Sequence, residues 1–408
     1  MSFPPDVTTT LETPARTRPQ VRASHFGLAL LALAAGGFAI GTTEFVTMGL
    51  LPQVARGVDV SIPVAGHAIS VYAVGVVVGA PTFAFLGARL PRRGLLIALM
   101  GWFAVFNAAT AVAGSYHLLL AARFLAGLPH GAYFGVASLV AASLATLERR
   151  GRAVSRVMLG LAVANILGVP AATWLGQHLG WRSAYWTVTA LGAVTIAMVW
   201  AFVPSAPGDP EATGRRELSA FTSPQVWLTL LTGAIGFGGM FAMYSYVAPT
   251  ITGVGGLHES AVPWFLLSFG LGMTVGTWLG GHLADWSVFR SLFLGSVTTA
   301  LSLLLFGAGI HLGWWAIVTP FLVSVSSSVL VVNLQLRLMQ VAGDAQTLGA
   351  AMNHASLNLA NALGAWLGGI VISAGLGYTA PAYVGVGLSL LGLVVLLASA
   401  ALHRRTRR

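Results

Sequence analysis

Apolar residues in this chain come in long blocks separated by short polar interruptions. The blocks lie at roughly 25–55, 62–87, 94–114, 117–146, 153–177, 183–203, 224–252, 261–284, 290–310, 314–340, 346–374 and 380–402. Each is near or above the roughly 20 residues a helix needs to cross a bilayer. Those longer than 25 residues imply tilt or extension beyond the hydrocarbon. The pattern predicts an all-α membrane protein of twelve transmembrane helices.

The polar intervals divide the chain. Residues 1–24 carry Pro4, Pro5, Pro14 and Pro19 and read as a disordered cytoplasmic tail. They are not read as a cleavable signal, because the following apolar run is too long and lacks a small-residue cleavage site. A six-helix half is expected over 25–203, a cytoplasmic linker over 204–221, a second half over 222–403 and a basic tail over 404–408. Ala164-Asn165-Ile166-Leu167-Gly168 in the fifth span matches Ala360-Asn361-Ala362-Leu363-Gly364 in the eleventh, 196 residues later. Gly87 and Gly281 follow the second and eighth spans, 194 residues apart. Two matches at nearly one offset point to pseudo-symmetric halves in parallel repeat, an arrangement that places a ligand site between them near the midplane.

Composition sharpens this picture. Of 408 residues 56% are hydrophobic and 8% charged, where soluble domains carry about 25% charged. Glycine numbers 50, which suits helices packed through small residues. There is no cysteine, so disulfides and thiolate chemistry are excluded. All 21 basic residues are arginine and the formal net charge is +10. That charge does not form a nucleic-acid-binding face. The arginines sit in short loops, and one alternate set of loops holds all but three: Arg56 and Arg182 lie in the opposite set and Arg123 lies within a span. Positive-inside asymmetry then puts both termini in the cytoplasm. The expected location is the cell inner membrane, multi-pass.

The local motifs narrow the class. GTTEFVTMGLLP in the first span, SIPVAGHAISVYAVGVVVGAP (61–81), RFLAGLPHGAYFGVASLV (123–140) and ANILGVP (164–170) resemble the major facilitator superfamily. Within it they look like the drug:proton antiporter group, in the arabinose efflux permease (AraJ-like) branch near the actinomycete chloramphenicol exporters. The resemblance covers essentially all of the chain after about residue 25, and implies the major facilitator fold and small-molecule efflux. One motif departs: the loop after the second span reads Gly87-Ala88-Arg89-Leu90-Pro91-Arg92-Arg93-Gly94, without the family's Asp, whereas Gly281-His282-Leu283-Ala284-Asp285 keeps it. Arg89 and Arg92 are left an anchoring or gating role at anionic headgroups, with Asp285 in the second latch.

Glu44 is the acid that falls inside a span, and intramembrane ionisable groups are functional by default. Burial raises a carboxyl pKa and an approaching cation lowers it, the property a proton exchanger needs. Arg123 is its expected counter-charge. Glu44 lies 8 residues before Pro52 on an outward-running helix, and Arg123 lies 6 after His117 on an inward-running one. At about 1.5 Å per residue they share a depth. The resemblance also assigns the arginine of this helix to proton transfer; a structural arginine bonded to carbonyls is the other reading. Arg123, Gly127, His130 and Phe134 form one stripe. His130 either relays protons or satisfies a backbone carbonyl, and Gly127, Gly131 and Gly135 are expected to pack closely on a neighbour.

His354, Asn358 and Asn361, with Asn353 beside them, form a second polar stripe on the eleventh helix, and Asn165 matches Asn361 by the repeat. Substrate binding and interhelical bonding both account for it. Tyr72, Asn107, Tyr133, Tyr244 and Tyr246 are candidate pocket residues, with interfacial anchoring the rival for Tyr72, Tyr244, Tyr246, Trp264, Trp314 and Trp315. Gly168 and Pro170 are a candidate hinge, since Pro170 removes a backbone donor.

There is no lysine for a Walker-type phosphate loop and no HExxH spacing. The expectation is therefore not an enzyme and no cofactor: the proton gradient powers a monomeric exporter of a small amphipathic compound or drug by alternating access. Rival expectations are an exporter of sugars or other polar metabolites and, from another class, a non-transporting membrane sensor on the same fold.

Overall fold

The computed structural model describes residues 23–87, 90–146, 149–205, 223–341 and 346–406. The expected N-terminal tail up to residue 22, Arg89, nearly all of the linker and the last two arginines lie outside the described residues.

Within them the chain is helical. The first half contains α1 (Ala23–Gly49), α2 (Leu51–Gly57), α3 (Ile62–Ala65), α4 (His67–Gly87), α5 (Arg92–Val112), α6 (Tyr116–Leu144), α7 (Arg150–Val163), α8 (Val169–Leu179) and α9 (Trp181–Phe202). The second contains α10 (Pro224–Gly236), α11 (Gly238–Ser245), α12 (Val247–Gly253), α13 (Val262–Trp286), α14 (Val288–Gly309), α15 (Val318–Val341), α16 (Gln346–Ser373) and α17 (Ala380–Thr406). Eleven stretches are long and apolar enough to cross a membrane, and one of them, Val288–Val341, holds both α14 and α15. The described residues thus make twelve crossings.

Several expected spans are broken, each for a local reason. The first ends at Gly49 rather than near residue 55, because Pro52 at the start of α2 cannot donate to the preceding turn. The seventh breaks at Phe237 among glycines and again at Tyr246, three residues before Pro249. Between α7 and α8, Ala164–Gly168 widens into a π-turn in which the Val169 N–H reaches the Ala164 carbonyl. Pro170 two residues on has no N–H to continue an α-helical ladder. Gly313, at φ 62, turns the chain between α14 and α15, so the tenth crossing begins at Val318.

The halves repeat one packing plan. In the first, α1 lies along α7 and α9, α4 along α6, and α5 between α6 and α9. In the second, α10 and α11 lie along α16 and α17, α13 along α15, and α14 between α15 and α17. The most extensive contacts across the seam are those of α4 with α16 and of α13 with the π-turn and α8, as a pseudo-twofold requires.

Lipid tails are as apolar as leucine, so dispersion at close approach holds such helices together. Gly75 and Gly79 of α4 meet the Phe124 and Leu128 carbonyls of α6, and Gly127 and Gly131 meet Tyr72 and Ala80 in return. Gly272, Gly276 and Gly280 of α13 do the same against Phe321, Val325 and Val329 of α15. Gly135, expected to join the first stripe, faces open space.

Burial is inverted relative to a water-soluble fold. Thr43, Asn107, Arg123, His130, Asn165 and Asn361 are buried, whereas Val105, Trp200, Trp278 and Leu305 are more than half exposed. Such an exterior is stable facing lipid. Trp264, Trp314 and Trp315 are exposed near crossing ends, as anchors are, whereas Tyr72, Tyr244 and Tyr246 are buried. Arg92, Arg93, Arg150, Arg290 and Arg404 gather at one end of the bundle and Arg56 and Arg182 at the other. These are called below the arginine-rich and arginine-poor ends.

Candidate functional site

Arg123 is 0% exposed, so its charge must be met inside the bundle. Its Nη1 donates to Thr43 Oγ1 at 3.1 Å and its Nη2 to the Thr43 carbonyl at 3.4 Å. Nε reaches the Ala68 carbonyl at 3.5 Å. The guanidinium lies 4.2 Å from the Tyr72 ring and 5.6 Å from that of Tyr185. The shell continues outward: Thr43 donates to Asn107 Oδ1 at 2.6 Å, and Asn107 donates to the Phe103 carbonyl at 2.8 Å. Thr47, one turn on from Thr43, bonds the Tyr185 hydroxyl at 2.7 Å. Dipoles and aromatic faces stand in for a counter-anion.

Among the described residues no ion pair joins Arg123 to Glu44, so the expected counter-charge acts on it at longer range. Among the described residues the salt bridge found is that of Arg56 with Glu259. The shared depth is right, but the partner is the adjacent residue. Successive helical side chains point about 100° apart, so when Thr43 faces Arg123, Glu44 faces elsewhere. Glu44 is 6% exposed and makes no hydrogen bond or ion pair with a described residue. It remains within electrostatic reach of Arg123 and Tyr72. Its neighbour Phe45 crosses the seam, stacking on Phe241 at 6.3 Å and meeting Tyr244 edge-on at 5.8 Å. Tyr244 in turn stacks on Phe269 at 4.0 Å. The residue that follows Glu44 thus belongs to an aromatic layer where the halves meet.

A second line of contacts runs from Arg123 toward the arginine-rich end. The Tyr72 hydroxyl and His130 Nδ1 are hydrogen-bonded at 3.1 Å. His130 packs on Phe134 at 5.4 Å, and Phe134 lies flat on His354 of α16 at 5.8 Å and 4°. The expected stripe on α6 thus reaches the expected stripe on α16.

The amides behave differently from Asn107. Asn165 donates to Leu161 and Asn358 to His354 within their own helices, but each leaves its carbonyl oxygen buried and unbonded. Asn361 and Asn353 have neither amide atom bonded.

Other candidates are placed elsewhere. Tyr133 donates to the Leu33 carbonyl at 3.0 Å and fills the space beside Gly36, so it ties α6 to α1. Tyr246 donates to Ala365 at 2.7 Å and seats beside Gly66 and Gly369, near the arginine-poor end. Gly168 packs on Phe38 and Thr42 at the end of the π-turn, with Pro170 just beyond it. Arg92 opens α5 and exposed Asp285 closes α13, both at the arginine-rich end.

Residues outside the expected set complete the seam. Glu259, just before α13, accepts from Gln53 at 2.9 Å and from Arg56 at 3.4 Å, and its carbonyl accepts from Gln177 at 2.8 Å. Ser70 donates to Ala362 at 3.2 Å. The polar bonds found across the seam lie toward the arginine-poor end. Of the residues sequence reasoning missed, Thr43 and Thr47 had a signal, a polar pair one turn apart flanking Glu44. Tyr185 and Glu259 had none.

Twelve crossings, two matching packing plans and a polar seam define a known architecture, and the sequence agrees with it. A family profile described as Major Facilitator Superfamily matches residues 33–353. The chain belongs to the major facilitator superfamily. It is 42% identical over 379 residues to the Inner membrane transport protein YdhP of Escherichia coli K12, covering 91% of this chain and 95% of that one. It is 34% identical over 262 residues to the Chloramphenicol resistance protein of Streptomyces lividans, covering 63% and 67%. Among solved structures, a D-xylose-proton symporter aligns over 91% of this chain and 97% of its own with a TM-score of 0.73 at 14% identity, a likeness of fold. As a member of the superfamily the chain is a multi-pass membrane transporter and not an enzyme. Its polar seam is the region where superfamily architecture places the translocation path.

Proposed function

We propose that this chain exports a small amphipathic compound in exchange for protons, with Glu44 as the proton-carrying group. One observation carries the reading: Glu44 is a buried acid with no bonded partner among the described residues, beside the seam and one residue from the Arg123 node. An acid locked in a structural network could not change charge without breaking bonds, and Glu44 has none to break. Arg123, held by carbonyls and rings, is a fixed positive potential nearby that favours return of the ionised form after each proton leaves. His130, joined to Tyr72, serves as a proton relay on the side toward His354.

The name of the Streptomyces relative supports export of a drug-like compound, and that of YdhP supports the inner membrane. With the arginine-rich end in the cytoplasm, the bonds from Glu259 to Gln53, Arg56 and Gln177 close the outer side. Substrate is then taken up from the cytoplasmic side. The cycle follows: substrate enters with Glu44 ionised, the halves rock, an external proton neutralises Glu44 as substrate leaves, and the proton is released inside.

The test is transport in proteoliposomes driven by an imposed pH gradient. Glu44→Gln, nearly isosteric and permanently neutral, is expected to reduce gradient-driven flux to background while thermal unfolding shifts by no more than a few degrees. Gradient-driven flux at the parental rate overturns the proposal.

A further inference from the structure

The geometry points to Asn165, Asn358 and Asn361 as a hydrogen-bonding clamp for an uncharged substrate that presents a hydroxyl or amide donor beside an acceptor. This rests on the export reading above and names the substrate class of that site.

Four facts converge. First, the three amides are 1%, 3% and 0% exposed, yet the carbonyl oxygens of all three and the amide nitrogen of Asn361 have no bonded partner among the described residues. In a membrane-embedded bundle such groups are strongly disfavoured unless something satisfies them part of the time. Asn107 shows the contrast, since its amide bonds on both sides. Second, the amides come from both halves. Asn165 lies on the π-turn packed against α1 and α13, and Asn361 on α16, the helix that packs along α4 and whose Ala362 carbonyl accepts from Ser70. Asn165 and Asn361 are pseudo-twofold mates, so closing the seam around a ligand brings matching groups to it from opposite sides. Third, Asn165 sits within the π-turn Ala164–Gly168. A widened turn of this kind exposes backbone and re-aims side chains, and recurs at functional sites. Fourth, the aromatic layer of Phe45, Tyr244 and Phe269 gives the apolar part of an amphipathic ligand a face to lie on.

Charge selects the class. Near mid-membrane the chain has Glu44 and Arg123. Three of the five N–H donors of Arg123 are engaged by Thr43 and Ala68, and the Tyr72 and Tyr185 rings lie against its guanidinium, which leaves an anion little of it to reach. The unbonded groups at Asn165, Asn358 and Asn361 are amide atoms, which offer hydrogen bonds and no formal charge to pair with an ion. An uncharged ligand read by amides leaves Glu44 to the proton.

Equilibrium binding to the purified full-length protein in detergent tests this without a gradient. The probes are chloramphenicol, an uncharged amide diol, a neutral hexose and the lipophilic cation tetraphenylphosphonium. At least one neutral probe is expected to bind, and Asn361→Ala and Asn165→Ala are each expected to weaken it about tenfold, the effect of one to two lost hydrogen bonds. Asn361→Leu, which removes unbonded polar atoms at similar volume, is expected to weaken binding while leaving thermal stability equal or higher. A purely structural amide would lower it. Failure of both neutral probes to bind, or unchanged binding in Asn165→Ala and Asn361→Ala, overturns the clamp. A protein that binds a neutral probe through these amides but moves no protons refutes the exchange reading and leaves the clamp standing.

Discussion

The two halves share a backbone plan and differ in chemistry. In the first, the polar groups are bonded into a network around Arg123: Thr43, Asn107, Tyr72 and His130 each have a partner. In the second, the corresponding inner face of α16 carries Asn353, Asn358 and Asn361 with amide atoms unbonded, beside a largely aromatic layer. Pseudo-symmetry therefore extends to helix packing and stops at side-chain satisfaction. The first half holds the charges in place, and the second, together with Asn165 of the first, keeps hydrogen-bonding capacity in reserve. That division suits the proposed exchange, in which proton and substrate are read by different groups.

The sharpest way to break the comparison is to attack what the halves share. Gly127→Leu places a side chain on the Tyr72 carbonyl and Gly276→Leu places one on the Val325 carbonyl, both rigid backbone. Each is expected to destabilise by about 4 kcal/mol or more and to abolish monodisperse protein in detergent gel filtration. If one half tolerates its leucine, the packing plans are not equivalent. The next effect belongs to the first half. Arg123→Ala strands the Thr43 and Ala68 carbonyls in a cavity, an expected loss of about 3 kcal/mol read by thermal unfolding. Coupling should fall with it, so a direct measure is the flux per folded molecule. An unchanged melting temperature would show that the network is not what holds α1, α4 and α6 together.

The smallest effect concerns the closed end. Glu259→Gln removes the charge that meets Arg56 and weakens the contact with Gln53. An exposed pair of this kind is worth about 0.5 kcal/mol, so the equilibrium between closed and open seam should shift about twofold. The chain has no cysteine, so the labelling rate of a single Ser70→Cys reporter reads that shift cleanly. No change in rate would show that Glu259 decorates a closure held by Tyr246 and the glycines around it.

Much of the site was legible before any coordinates. Glu44 stands out as an acid in an apolar block, Arg123 as an arginine in another, and both lie at the expected depth. Their relation was not legible. A depth argument resolves position along an axis to about a turn, and Arg123 chose Thr43 over Glu44 within a single residue. Tyr133 and Tyr246 looked like pocket residues because aromatic residues with hydroxyls suit pockets, yet each spends its hydroxyl on a neighbouring backbone carbonyl. The glycine stripe of α6 was visible at four-residue spacing, but the equivalence of the glycines that α4 turns to α6 and those that α13 turns to α15 emerged only when both halves were in view.

The sequence by itself determined that this chain crosses a membrane twelve times, because bilayer thickness sets block length and every backbone group must bond within its own helix. It also determined the family and the intramembrane acid. Tertiary structure decided how each helix is rotated about its axis. Rotation follows from which glycines meet which carbonyls across a crossing, and those contacts join residues far apart in the chain. Hence only the fold could tell the fully bonded amide at 107 from those at 165 and 361, whose oxygens are unbonded, or turn residue 43 toward the arginine and leave residue 44 free.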